Sequence, residues 1–212
     1  MATAGKRLSR LALEQMIELD LQPDSAPEFR LALEQLRSAS FREELKLEEI
    51  PAPSNLATHA VAFSANVSAH LSDDVATDSG TGRMVLLWDP VPQESWESNF
   101  RTIIFAKSPL ETDIGSDEMI ADVAWAWLSE SLNNRSAKYV AAAGTATRII
   151  SRGYGALAGQ SDHAELEVRA SWSPVGGSVG SHLEAWQDLV CIMSGFAHLP
   201  SGVVSIDSKF AR

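Results

Sequence analysis

Residues 164–172 read Ala164-Glu165-Leu166-Glu167-Val168-Arg169-Ala170-Ser171-Trp172, and their reading decides the fold. Ala164, Leu166, Val168, Ala170 and Trp172 alternate without a miss with Glu165, Glu167, Arg169 and Ser171. Successive side chains of a strand point to opposite faces, so strict period two marks a strand with one face on a core and the other toward water. A loop from Pro174 to Gly180 follows. Ser181 and Glu184 then have the spacing of a capping box, which predicts a helix through Phe196 with Leu183, Trp186, Leu189, Val190, Ile192 and Met193 apolar. A half-buried strand running into an apolar-faced helix is a sheet with a helix laid on it.

Working back toward the N-terminus, Tyr139 to Ile150 reads as the preceding strand. Its Ala141-Ala142-Ala143-Gly144 run leaves room for a bulky ring or a closely approaching backbone. Met119 to Leu132 has helical spacing and an unusually wide apolar arc: Ile120, Val123, Ala124 and Trp127 form one half, Ala121, Trp125, Leu128 and Leu132 the other. Such a helix covers the sheet and something besides. Strand signals recur at Phe100 to Ala106, at Met84 to Trp88, which is apolar on both faces, and at His59 to Val67, which alternates cleanly. Leu45 to Ile50 is a further strand segment, ended by Pro51-Ala52-Pro53. A helix is predicted from Ser25, with a capping box to Glu28 and Phe29, Ala32, Leu33 and Leu36 on one face.

The order expected is α-β-β-β-α-β-β-α. It makes an α+β two-layer sandwich: a mostly antiparallel five-stranded sheet with helices on one face. A faint internal echo supports it, since two strand pairs each precede a Ser-Pro, at Ser108-Pro109 and Ser173-Pro174, and a helix carrying Ala126-Trp127 or Ala185-Trp186. One domain is expected over residues 26–205. Residues 1–25, with a short helical pattern at 6–20, read as a loosely packed extension, and residues 206–212 as a tail.

The chain has 212 residues, 45% of them hydrophobic and 21% charged. No apolar run reaches the roughly 20 residues of a membrane span, and the N-terminus lacks the apolar core of a secretory signal. One cysteine, Cys191, makes neither an internal disulfide nor a cysteine zinc site, which fits a cytoplasmic protein. Net charge is −11, concentrated in residues 72–130, and no basic stripe offsets it. Nucleic-acid affinity rests on clustered Lys and Arg, so nucleic acid is not the expected ligand.

Glu48-Glu49-Ile50-Pro51-Ala52-Pro53 running into Leu56-Ala57, Arg83 to Leu87 with Asp89-Pro90, Trp125-Ala126-Trp127-Leu128, and Arg169 to Pro174 followed by His182 to Trp186 carry a resemblance. Together they resemble an actinobacterial family catalogued as domain of unknown function 3000, over about residues 26 to 205. The resemblance implies a cytoplasmic bacterial protein and brings no activity, cofactor or catalytic residue. In element order alone the chain also resembles the type III secretion chaperones, and fold analogy does not establish function.

Catalytic signatures are missing. His182 and Glu184 point to different sides of a helix, and no H-E-x-x-H occurs. Carboxylates one and two turns from Cys191 disfavour a thiolate. Asp73, Asp74 and Asp78, and Asp113, Asp117 and Glu118, lack calcium-loop spacing. Gly176, Gly177 and Gly180 precede a helix without a phosphate-binding lysine. Neither a catalytic residue, a metal nor a cofactor is assigned. The expectation is a non-enzymatic module that self-associates or holds another protein, which a basic surface would suit, and that uses neither nucleic acid nor membrane. Trp88, Trp96 and Trp125 are the expected anchors, because Trp is over-represented at interface centres, while Trp127, Trp172 and Trp186 read as core. The competing reading is an enzyme assembled from Glu94, Glu97, Arg148, Arg169 and His182; a structural or regulatory subunit is the third.

Overall fold

A computed structural model describes residues 26–67, 80–159, 162–176 and 178–196. The expected extension at 1–25 and tail at 206–212 lie outside the described residues, as do Ser25, Asp73, Asp74, Asp78 and Gly177. The elements are α1 (Pro27–Arg37), β1 (Leu45–Ile50), β2 (His59–Val67), β3 (Thr81–Trp88), β4 (Phe100–Leu110), α2 (Thr112–Gly115), α3 (Ile120–Asn134), β5 (Tyr139–Ser151), β6 (His163–Pro174) and α4 (Gly180–Met193). Short 3-10 turns lie at Glu94–Trp96 and Gly155–Leu157.

The sheet has six strands, not five, because four of them separate α1 from α2. The extra member is explained at the edge. β1 bonds to one neighbour alone, so a short segment with Leu45 and Leu47 turned inward is enough to hold it. β4 also runs past Ala106, the end expected from its pattern, through Pro109. Its pairing with β3 stops at Lys107, so at Pro109 it has β6 on one side only and an absent N–H breaks no ladder there.

Strand order is β1-β2-β3-β4-β6-β5, with every neighbouring pair antiparallel. β6 inserts between β4 and β5, which therefore run parallel to each other and need the α2–α3 crossover to connect them. The two strand–strand–helix units of the sequence echo thus lie side by side as β3-β4 and β6-β5.

Register puts Phe63, Met84, Ile104, Ala170 and Gly144 in one row across the face that the helices cover. α1 buries Phe29, Ala32, Leu33 and Leu36 as its spacing predicts. Its first residue is Pro27, whose missing N–H is harmless at that position, and Ala26 stands at the N-cap without a side-chain hydrogen bond. α4 lies directly on the sheet: a Cβ at Gly82 would fall 2.7 Å from Val190 and 2.9 Å from the Trp186 ring. The capping box expected at Ser181 and Glu184 does not form. The helix starts earlier, with Val179 as N-cap; the Ser181 hydroxyl donates to the Ser178 carbonyl, and Glu184 is drawn to partners outside the helix.

Among the described residues no helix packs on the opposite face of the sheet. There Ile50, Ala62, Val85, Ile103, Ser171 and Ala143 line up across all six strands, with Ile103 37% exposed. No described helix is long and apolar enough to cross a membrane.

Candidate functional site

The three expected anchors have separate fates. Trp88 is 5% exposed and closes a stack of rings in which Phe29 and His59 lie 5.2 Å apart and His59 and Trp88 5.5 Å. Trp96, in the turn between β3 and β4, is 6% exposed. The apolar surplus read around Met84 to Trp88 is taken up inside this chain, because α1 lays Phe29 over the end of β2 and β3. Trp125 alone of the three is half-buried. Trp172 and Trp186 are fully buried, and Trp127 packs half-buried against the core.

Trp125 leads to the outer edge of the sheet. A Cβ at Gly144 would lie 2.7 Å from the Trp125 ring and 2.5 Å from the Arg169 carbonyl, so the small-residue run in β5 is the seat of that ring. Beside it β5 carries a bulge between Val140 and Ala143, with Ala141 in the left-handed region at φ 50°. Arg101 clamps this irregularity. Its guanidinium donates to the Ala141 carbonyl at 2.9 Å and to the Ser171 and Ser173 hydroxyls at 2.6 and 3.2 Å, and burial lowers its pKa. Beyond the bulge, Ala142, Ala143, Gly144, Thr145 and Thr147 are exposed on a strand edge that no described strand pairs. From Tyr139 through Thr147 that edge carries no charge. Unpaired N–H and C=O groups in a row are a template for another strand unless charge, proline, brevity or a bulge blunts them, and past its bulge β5 keeps regular register from Ala143 to Ser151.

The opposite edge is tied down by a cluster the sequence reading missed. Asp188, fully buried on α4, accepts from Arg135 at 2.6 and 3.0 Å and from Arg42 at 3.1 Å. Glu44 accepts from Arg42 at 2.6 and 3.0 Å, and Glu184 from Arg135 at 3.1 Å and from the Ser40 amide at 2.7 Å. Gln187 completes the tie by accepting the Arg42 amide and donating to the Ser40 carbonyl. Burial works against the Arg42 charge, but hydrogen bonds to Glu44 and Asp188 and the field of nearby anions hold its pKa above the ordinary arginine value. Burial also pushes the Cys191 thiol up to about 12, so it stays protonated and unreactive. The signal for this cluster was a lone Asp188 amid Leu and Val, whose partners sit 146 and 53 residues away in sequence.

The residues of the competing enzyme are scattered. Glu94 and Glu97 are exposed at the β3–β4 turn; Arg148, on the helix-covered face of β5, donates to the Ser116 carbonyl; Arg169, on the other face, stacks over Phe105 at 5.1 Å. His182, in the first turn of α4, is 2% exposed, with Nδ1 accepting the Trp172 indole N–H at 3.0 Å. Burial pushes its pKa down to about 4. No group of three metal-ligating side chains occurs among the described residues. At the start of α4, where the sequence offers no phosphate-binding lysine, Val179 donates to the Gln35 side chain and Gly180 to the Ser178 hydroxyl.

No curated protein and no solved structure gives a significant match to the chain. A family model does, over residues 25–204, which takes in every element described above. The chain therefore belongs to the family described as protein of unknown function DUF3000.

Proposed function

We propose that this protein is a non-enzymatic binding module that self-associates through the outer edge of β5, with Trp125 beside the seam. The observation that carries the reading is that edge: 13 residues long, uncharged from Tyr139 through Thr147 and unpaired among the described residues, while the other edge of the same sheet is short and charged. Two copies related by a two-fold axis perpendicular to the sheet would pair their β5 strands antiparallel and join two sheets into one. Isologous contact of this kind is the commonest route to a dimer. Residues that oppose each other in an antiparallel pair share a face, so both helical layers would lie on one side and bring the two Trp125 rings toward each other. A cytoplasmic setting fits the single, buried, protonated Cys191.

Light scattering tests this directly. The wild-type chain is expected to be a dimer at micromolar concentration. Thr145→Lys, which places like charges near the two-fold axis, is expected to raise the dissociation constant at least tenfold. A monomeric wild type, or a dimer that Thr145→Lys leaves untouched, removes β5 as the interface.

A further inference from the structure

A cavity of about 200 Å³ lies between α1 and the first turn of α4. Its walls include Leu31, Ala32, Phe100, Pro174 and Val179, and three polar side chains, Gln35, Ser178 and His182, meet them. Of these, His182 and Gln35 have donors left for the cavity, and Ser178 a hydroxyl that can donate or accept. His182 accepts on Nδ1 from Trp172, so the neutral ring carries its proton on Nε2; Trp172 is not part of the wall, which turns the Nε2 edge inward. No described residue accepts that proton. Gln35 uses its carbonyl oxygen on the Val179 amide, leaving its NH2 group, and the Ser178 hydroxyl oxygen accepts from Gly180, leaving its O–H. The His182 Nε2–H is left to the cavity, where a bound acceptor would meet it. The positive end of α4, a 14-residue helix, adds to the same polarity.

We propose that this cavity binds a small acyl compound, its apolar body against Leu31, Ala32, Phe100 and Val179 and its carbonyl or carboxylate oxygen on His182 Nε2–H. Size follows from volume. A dry cavity of ~150 Å³ takes benzene, so one of this size holds roughly eight non-hydrogen atoms. The exposed Glu28 is the one acid among the walls, at a position where solvent screens it. A cationic head on the inner wall would meet the His182 Nε2–H and the Gln35 NH2 group, which offer it no lone pair.

The test is a titration of the full chain with sodium hexanoate, followed by the Trp172 indole N–H resonance, which bonds to the far side of the same imidazole. A saturable shift with Kd below about 1 mM is expected, with hexylamine, the same chain ending in a donor, at least tenfold weaker. His182→Phe removes the donor and is expected to weaken hexanoate tenfold or more. Because a buried change can disturb folding, Leu31→Trp supplies a second arm: Leu31 is 56% exposed on α1, and an indole there closes the mouth and is expected to abolish the shift. Absence of a saturable shift, equal binding of hexylamine, or undiminished hexanoate binding by Leu31→Trp would each overturn the site.

Discussion

The two edges of this sheet are built on opposite plans. β1 is six residues long, exposes Lys46 and Glu48 as an ion pair at 2.6 Å, and runs into Pro51 and Pro53. β5 is 13 residues long and carries no charge from Tyr139 through Thr147, with Ala142, Ala143, Gly144, Thr145 and Thr147 exposed. A short, charged, proline-ended edge refuses further pairing, and a long neutral one does not. The polypeptide just before β1 is also anchored, through Arg42 and Ser40 on α4, whereas β5 is held by β6, by the Trp125 ring over Gly144 and by the Arg101 clamp at its bulge. One edge is finished and the other is left open.

The largest expected effect breaks the finished edge. Asp188→Ala leaves Arg42 and Arg135 without their shared carboxylate, and removal of one partner of a buried ion pair costs about 3–5 kcal/mol. Urea denaturation measures the loss, and hydrogen exchange should quicken in β1 before β5. Equal quickening of both edges would show that the cluster stabilises the whole domain instead of the β1 side.

Acid sharpens the contrast, since the ion pairs to the buried Asp188 hold the β1 side. His182 titrates first. The unfolded chain binds its proton near 6.5 and the folded one near 4, so stability from this group is full above pH 6.5 and falls as pH drops toward 4, by about 3 kcal/mol in all. Glu44, whose pKa its bond to Arg42 lowers against the effect of burial, adds its loss only below the ordinary carboxylate value of 4.5. Thermal unfolding across pH 7 to 4 should therefore show a slope that His182→Phe flattens, with the β1-side loss following at lower pH.

At the open edge, Gly144→Val is expected to cost about 1–3 kcal/mol, because the new side chain meets the Arg169 carbonyl and the Trp125 ring together. The indole must move, so near-ultraviolet circular dichroism should change along with the denaturation midpoint. An unchanged spectrum would mean that Trp125 is not seated there. The smallest effect belongs to the finished edge. Lys46→Ala with Glu48→Ala removes an exposed ion pair worth no more than about 1 kcal/mol, leaving stability nearly unchanged while increasing self-association at high concentration. No increase would show that brevity and proline protect β1 without the charges.

Much of this was legible locally. The alternation of Val61, Phe63, Ala65 and Val67, the α1 face, and the small run at Ala141 to Gly144 as the seat of a ring all read directly. Trp88 and Trp96 did not. An apolar surplus at Met84 to Trp88 looks the same in sequence whether a partner covers it or α1 does, and here Phe29 and His59 cover Trp88. The capping box at Ser181 and Glu184 failed for a related reason: Glu184 finds a partner in Arg135, 49 residues away, and not in the amide its spacing offered.

By itself the sequence determined which segments are strands and helices and which side of each is apolar, because those properties rest on neighbours two, three and four residues apart. Only the tertiary structure decided that β6 would separate β4 from β5. That choice made β5 an edge, turned a run of alanines into an exposed surface, and brought Asp188 within reach of both Arg42 and Arg135. Such pairings join residues far apart in the chain, and a periodicity that labels one face of a strand carries no record of which strand will lie beside it.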